Sequence, residues 1–243
     1  MYNSSDQFYT EGGYYQRNPG WHQEGSKFKA DLVWEFINKF QLSTGLVVEV
    51  GCGAGEVLVE LTKNLPSASV LKGYDISPQA IQIANKKATS QLSFYIDDYS
   101  QVNEAKADLV LVLDVVEHID DVYSFLRKLR DKGRNFIFHI PLDMSCRTLL
   151  KPHVLLQQRT DVGHIHYFTE ETMLWMLRDV GFDVEYLVYT KPDVDLTKPG
   201  SFKQWVKKVL RKFSYSINKK LSVKLWGGYS ALVLAKPVLK PNE

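Results

Sequence analysis

Apolar positions along the chain fall into two alternating periods. Over 27–40 the residues Phe28, Leu32, Val33, Phe36, Ile37 and Phe40 lie close to one stripe of a helix. After a short break at 41–45, the compact apolar run 46–50 predicts a strand that leads straight into Gly51, Gly53 and Gly55, and the segment to Lys63 reads as a helix. The alternation then repeats. Residues 70–74 predict a strand, Ser77-Pro78 supplies an N-cap and a first-turn proline, and 79–88 continues as helix. Residues 92–96 predict a third strand. The continuous run ADLVLVL at 107–113 suits a strand buried on both faces. Val122, Phe125, Leu126 and Leu129 form the stripe of the next helix, which Gly133 stops before a fifth strand at 135–140.

The remainder is less regular. Residues 141–168 show no period and carry His153, His164 and His166. Thr169 opens a helix striped by Met173, Met176, Leu177 and Val180 and ended by Gly181, and Phe182, Val184, Tyr186 and Val188 alternate as a half-exposed strand. A last strand is predicted at 229–235. Strands separated by helices predict an α/β fold, a doubly wound sheet, with the final strand free to insert antiparallel after its long excursion.

Composition places this pattern in an ordinary globular chain: 243 residues, 44% hydrophobic and 24% charged. No apolar run approaches the roughly 20 residues of a membrane span. The start MYNSSDQFYT lacks a basic region followed by an apolar one, which argues against export. Two cysteines, Cys52 and Cys146, are too few for a disulfide framework and fit a cytoplasmic setting. Charge changes the picture once it is located. Nine basic residues and no acid lie in 198–224, so the rest of a chain whose total is +2 carries −7.

The loop VEVGCGAGE has the spacing Gly-x-Gly-x-Gly after a strand and before a helix, letting backbone approach a ligand at the strand's carboxyl end. A dinucleotide loop places its third glycine one residue later, and Glu49 and Glu56 are poor company for a pyrophosphate. Asp75, 24 residues beyond Gly51 in GYDIS, could accept from both hydroxyls of a ribose. Asp97 and Asp98 end the third strand, where one could meet an adenine amino group, and Leu113-Asp114 ends the fourth, where a carbonyl or carboxylate could meet an ammonium. An acid-lined crevice with no lysine or arginine nearby suits a cationic ligand.

With VEVGCGAGE, GYDIS, IDDYS and ADLVLVLDVVEHIDD in this order, the chain resembles the class I S-adenosylmethionine-dependent methyltransferases, including the ubiquinone-type O-methyltransferases, over about 27–235. The resemblance implies a Rossmann-like seven-stranded sheet of order 3-2-1-4-5-7-6 with strand seven antiparallel. It implies that Glu49, Gly51, Cys52 and Gly53 shape the pocket for the methionine part of the cofactor, that Asp75 holds the ribose and that Ile76 packs on the adenine. Asp98 and Tyr99 would flank the base, and Leu113 would offer its carbonyl to the amino group. Cys52 itself reads as a small filler rather than a nucleophile. The expected organisation is one domain, 1–243, with a leader and helix at 1–41, a cofactor-binding core at 42–140, an acceptor-side cover at 141–168, a basic amphipathic insertion at 191–227 and a last strand at 228–236. The alternatives are an NAD-dependent oxidoreductase or epimerase, disfavoured by the glycine spacing, and a methyltransferase-like binding module without catalysis.

Methyl transfer to a small-molecule acceptor, by this reading at a hydroxyl oxygen, needs alignment and a proton acceptor. Two places compete to supply a histidine base. On a helical turn, Asp114, Glu117 and His118 would converge, giving a base in His118 or a site for a hard divalent cation, which is not expected. In GHIHYFT, His164 and His166 would point the same way if extended, and His166 is preferred. In the basic segment, Phe202, Trp205, Val206, Val209, Leu210 and Phe213 form an apolar stripe, with Lys203, Lys207, Lys208, Arg211 and Lys212 on the other side. This helix at 202–213 could pack on its own domain, lie on an anionic membrane surface, or cover a pocket for an anionic or lipid-linked acceptor. Nucleic acid is not expected as a partner, because the basic residues form one short helix without a recognised binding motif.

Overall fold

The computed structural model describes residues 5–18, 25–191 and 200–238. Parts of the expected leader (1–4 and 19–24) and of the basic insertion (192–199, Lys198 included) lie outside the described residues. Seven strands form one sheet in the order β3-β2-β1-β4-β5-β7-β6: β1 (Leu46–Val50), β2 (Val70–Asp75), β3 (Leu92–Ile96), β4 (Ala107–Leu113), β5 (Gly133–Pro141), β6 (Phe182–Thr190) and β7 (Ser230–Pro237). The first five pair in parallel, and β7 enters antiparallel between β5 and β6. This is the α/β, Rossmann-like sheet that the motif order implied.

Side-chain alternation splits the core into two layers. Val110 and Val112 of β4, with Phe136 and Phe138 of β5, pack on one face beneath α6 (Val122–Arg130) and α9 (Glu170–Asp179). Leu109, Leu111 and Ile137 pack on the other, beneath α3 (Ser26–Phe40), α4 (Glu56–Thr62) and α5 (Pro78–Ala84). Each fully buried Leu, Val or Phe is worth about 1.5–3 kcal/mol relative to exposure, so the central strands anchor the fold. The loops at their carboxyl ends are free to build a site.

Four departures from the sequence reading concern that end of the sheet. The leader carries two short helices, α1 (Ser5–Thr10) and α2 (Gly13–Arg17). The stretch 141–168 is not irregular throughout but holds α7 (Cys146–Leu149) and α8 (His153–Asp161). A capping box between Ser145 and Thr148 starts α7, whereas α8 buries no residue and so has no stripe to betray it. The expected turn at DVVEH is a 3-10 turn, Val116–His118, and Asp114 stands outside it at φ 57°. Finally, α10 (Phe202–Ile217) and α11 (Lys219–Trp226) cross between β6 and β7, and the apolar stripe of α10 faces away from the domain.

Candidate active site

Backbone geometry at the end of β1 sets the site. The amides of Gly51 and Cys52 both donate to the carbonyl of Tyr74, at 2.8 and 3.0 Å. This requires the left-handed φ of 68° at Gly51, where a Cβ would lie 2.6 Å from Val115 Cγ2. Asp75 is buried at the tip of β2, taking the Gly53 amide on Oδ2 and the Ser77 amide on Oδ1, each at 2.8 Å. Burial raises its carboxyl and these two bonds oppose the rise. Each oxygen keeps a lone pair for a further donor. Cys52 is buried, and burial with the nearby Asp75 and Glu49 raises its thiol far above the ordinary value, which leaves it a filler and not a nucleophile.

These residues open onto a cavity of about 1120 Å³ over the carboxyl ends of the strands. Glu49, Gly51, Cys52, Gly53, Asp75, Ile76, Asp98, Tyr99 and Leu113 all line it. Asp98 turns its carboxylate onto the Ser100 amide and hydroxyl, both at 2.9 Å, and Tyr99 is buried against the Tyr74 ring. Burial pushes the Tyr99 phenol up to about 12.

The expectation of a crevice without basic residues is overturned. Lys29, on α3, lines the cavity and places Nζ 2.6 Å from Asp114 Oδ2, while His139 Nδ1 lies 2.5 Å from Asp114 Oδ1. Burial would raise the Asp114 carboxyl, but His139 and Lys29 together hold it well below the usual carboxylate range. Glu49 is also buried, and burial pushes its carboxyl up to about 8 despite the pull of Lys29. Lys29 escaped the sequence reading because it sits some 20 residues before the loop, beside the apolar stripe of a helix that looked purely structural. Tyr9 and Tyr14, from the leader, line the cavity too, and the leader's polar, aperiodic sequence gave no signal for this.

The three candidate histidines separate. His166 does not line the cavity, and its Nε2 lies 2.8 Å from the carbonyl of Ile119. The amides of Ile165 and His166 both donate to the Glu117 carbonyl, which breaks the extended alternation that would have aligned His164 with His166. His118 and His164 do line the cavity, with ring centroids 4.9 Å apart. His118 Nδ1 lies 3.1 Å from the Gly163 carbonyl and 2.9 Å from Tyr9 Oη, and the Tyr9 hydroxyl has its own acceptor in the Val162 carbonyl. A carbonyl can only accept, so Nδ1 carries the proton and Nε2 keeps its lone pair. Burial, then the neighbouring His164, lowers His118 to about 4. His164 Nδ1 lies 2.8 Å from Asp143 Oδ2, and Asp143 Oδ1 accepts from Gln158 Nε2 at 2.8 Å.

Beside the two rings lies Glu117, fully buried, its oxygens without hydrogen-bond partners and its Oε1 3.8 and 3.9 Å from His118 Nε2 and His164 Nε2. Burial and the charge of Asp114 raise its carboxyl well above the usual value. The expected trio of Asp114, Glu117 and His118 does not form, because Asp114 is committed to Lys29 and His139. Glu117, His118 and His164 instead bring one ligand atom each to within 4.8 Å of one another, a donor set able to hold a metal ion.

The family model described as "Methyltransferase domain" matches residues 21–187, well over half of the chain. The chain belongs to that family. As a class I S-adenosylmethionine-dependent methyltransferase it is no dinucleotide oxidoreductase, and S-adenosylmethionine is its methyl donor. Among relatives of this methyltransferase, the ubiquinone biosynthesis O-methyltransferase of Serratia proteamaculans is 24% identical over 200 residues, covering 70% of each chain. That of Hydrogenovibrio crunogenus is 25% identical over 144 residues, covering 54% of this chain and 58% of its own length. The magnesium protoporphyrin IX methyltransferase ChlM of Synechocystis PCC 6803, solved with bound SAH, shares the methyltransferase's fold with a TM-score of 0.60 at 20% identity, over 95% of this chain and 96% of its own.

Proposed function

We propose that this methyltransferase moves the methyl group of S-adenosylmethionine to a hydroxyl oxygen of a small-molecule acceptor, with His164 as the proton acceptor. Glu49, Gly51, Cys52 and Gly53 surround the methionine part of the donor. Asp75 accepts from the ribose hydroxyls, Ile76, Asp98 and Tyr99 flank the adenine, and Leu113 offers its carbonyl to the amino group. The observation that carries the reading is the dyad of His164 and Asp143 on the cavity wall. Asp143 accepts a hydrogen bond from Nδ1–H, which fixes the tautomer and leaves Nε2 to receive a proton. In the transfer, the acceptor oxygen attacks the sulfonium methyl carbon in line and forms the C–O bond. The C–S bond breaks with its electron pair going to sulfur, and the hydroxyl proton passes to His164 Nε2. Arg147 and Lys128 also line the cavity, which favours an acceptor bearing an anionic group.

A second reading rests on the same cluster. The unpartnered oxygens of Glu117 with the nitrogens of His118 and His164 suit a divalent cation that would polarise an acceptor hydroxyl. Incubation with methyl-labelled donor and panels of phenols, hydroxy acids and hydroxylated lipids tests both. O-methyl product formed in excess chelator supports the histidine base, and product lost to chelator and restored by a single metal supports the second reading. N- or C-methyl product would overturn the assignment to oxygen.

A further inference from the structure

Helix α10 is packed with its two faces reversed. Its polar side is the one against the domain: Arg211, only 5% exposed, donates from Nη2 to the carbonyls of Gly227 and Gly228 at 2.6 and 3.1 Å. Ser214 Oγ lies 2.9 Å from Ser222 Oγ and accepts from Trp226 Nε1, and the Tyr215 hydroxyl donates to the Tyr189 carbonyl at 3.2 Å. The opposite side is apolar and faces solvent. Phe202 is 76%, Trp205 51%, Phe213 63% and Ile217 70% exposed, with Val209 and Leu210 between them. At 100° per residue these six positions span an arc of about 140°. Burying six such side chains would be favourable, and monomeric proteins seldom present so continuous an apolar strip.

Charge decides what covers it. No acidic residue occurs anywhere in 200–238. Lys220 and Lys224 are turned back onto Glu170 and Glu171 of α9, so they face the body of the domain. Lys212 and, beyond it, Lys208 follow one edge of the strip, and Lys207 lies past the other. A second copy would bring another basic strip against the first, whereas a bilayer with anionic headgroups offers apolar depth bordered by negative charge. The helix, about 24 Å long, fits that interface lying in its plane. No helix among the described residues is long and apolar enough to cross a membrane. The helix that follows, α11, packs on α7 and runs directly into Gly228, Tyr229 and Ser230 of the cavity wall.

We infer that the apolar strip of α10 docks the protein in the interfacial plane of an anionic lipid bilayer. The inference does not depend on the identity of the methyl acceptor. It is tested by flotation of the full chain with vesicles of phosphatidylcholine alone and of phosphatidylcholine with phosphatidylglycerol, in low and high salt. Expected is binding to the mixed vesicles that weakens at least tenfold with salt, with neutral lipid, and in both the double variants Trp205→Ser/Phe213→Ser and Lys208→Glu/Lys212→Glu. Cooperative thermal unfolding of each variant near the parent's Tm shows that it folds. Absence of binding by the parent chain, or binding unchanged in folded variants, overturns the inference. So does a vesicle-free dimer that the Trp205→Ser/Phe213→Ser change abolishes, since the strip would then be a contact between copies.

Discussion

His164 Nδ1 stands 2.8 Å from Asp143 Oδ2, with both side chains nearly withdrawn from solvent and Gln158 holding the other carboxylate oxygen. The pairing joins a residue just after β5 to one just beyond α8, so the cover over the cavity also orients the proposed base. Its neighbour His118 is lowered to about 4 and is neutral near pH 7, which makes it a weak base there.

Replacing His164 by Ala is therefore expected to lower kcat by about 10²–10⁴ while the donor's Kd stays within a factor of a few. Asp143→Asn leaves one oxygen for two donors, Gln158 Nε2 and His164 Nδ1, so that its NH2 can face the ring and favour the other tautomer, with an expected loss on the order of a hundredfold. His166→Ala, outside the cavity, should leave kcat near the parent's and lower Tm instead. Steady-state kinetics with calorimetric donor binding checks all three, and an intact kcat for His164→Ala would remove it as the base.

Glu49 yields a pH prediction. Its carboxyl rises from 4.5 in the unfolded chain to about 8 in the fold, so between these values the folded state binds more protons than the unfolded one. That contribution to stability is complete below about 4.5 and is lost as pH rises through 8. In the unliganded protein, Glu49→Gln should thus have a smaller fall in Tm between pH 5 and 8.5 than the parent. Binding of a sulfonium donor beside this group should drive the proton off near pH 7. Calorimetric enthalpies that differ between phosphate and Tris for the parent, and agree for Glu49→Gln, are the expected signature.

Gly51→Ala tests the loop. The new methyl meets Val115 at a left-handed φ, and the backbone alone costs about 1–2 kcal/mol. Donor affinity should fall because the Tyr74 carbonyl can no longer hold both loop amides. Adding Val115→Ala relieves the contact but not the φ, so affinity measured by calorimetry should recover only in part.

What was legible in the sequence follows from how each feature is encoded. The strands and their flanking helices announce themselves by period, and Asp75 and the glycines by position at strand ends. Lys29, from α3, and Tyr9 and Tyr14, from the leader, reach the cavity across distances that no local pattern records. Asp114 was expected beside Glu117 and His118 from its offset, but its positive φ and the pull of Lys29 and His139 turn it away. His164 was separated from His166 only by two amides sharing the Glu117 carbonyl. The amphipathic pattern of α10 was plain in the sequence, yet amphipathicity does not say which face meets the protein. Arg211 turns the polar face inward, because its guanidinium finds two carbonyls and the Tyr229 ring, whose centroid is 5.0 Å away.

Arg211→Met examines that anchoring directly. Two carbonyls at the end of α11 lose a charged donor, and hydrogen bonds to charged groups contribute about 1.5–3 kcal/mol. Urea unfolding should therefore show a loss of about 2–3 kcal/mol, with Arg211→Lys intermediate because it keeps the charge without the planar fork. Gly228, Tyr229 and Ser230 line the cavity, so loosening α10 and α11 should raise the acceptor's KM more than the donor's Kd. An unfolding curve that matches the parent's would mean that the polar face does not hold the helix, and the outward strip would then need another cause.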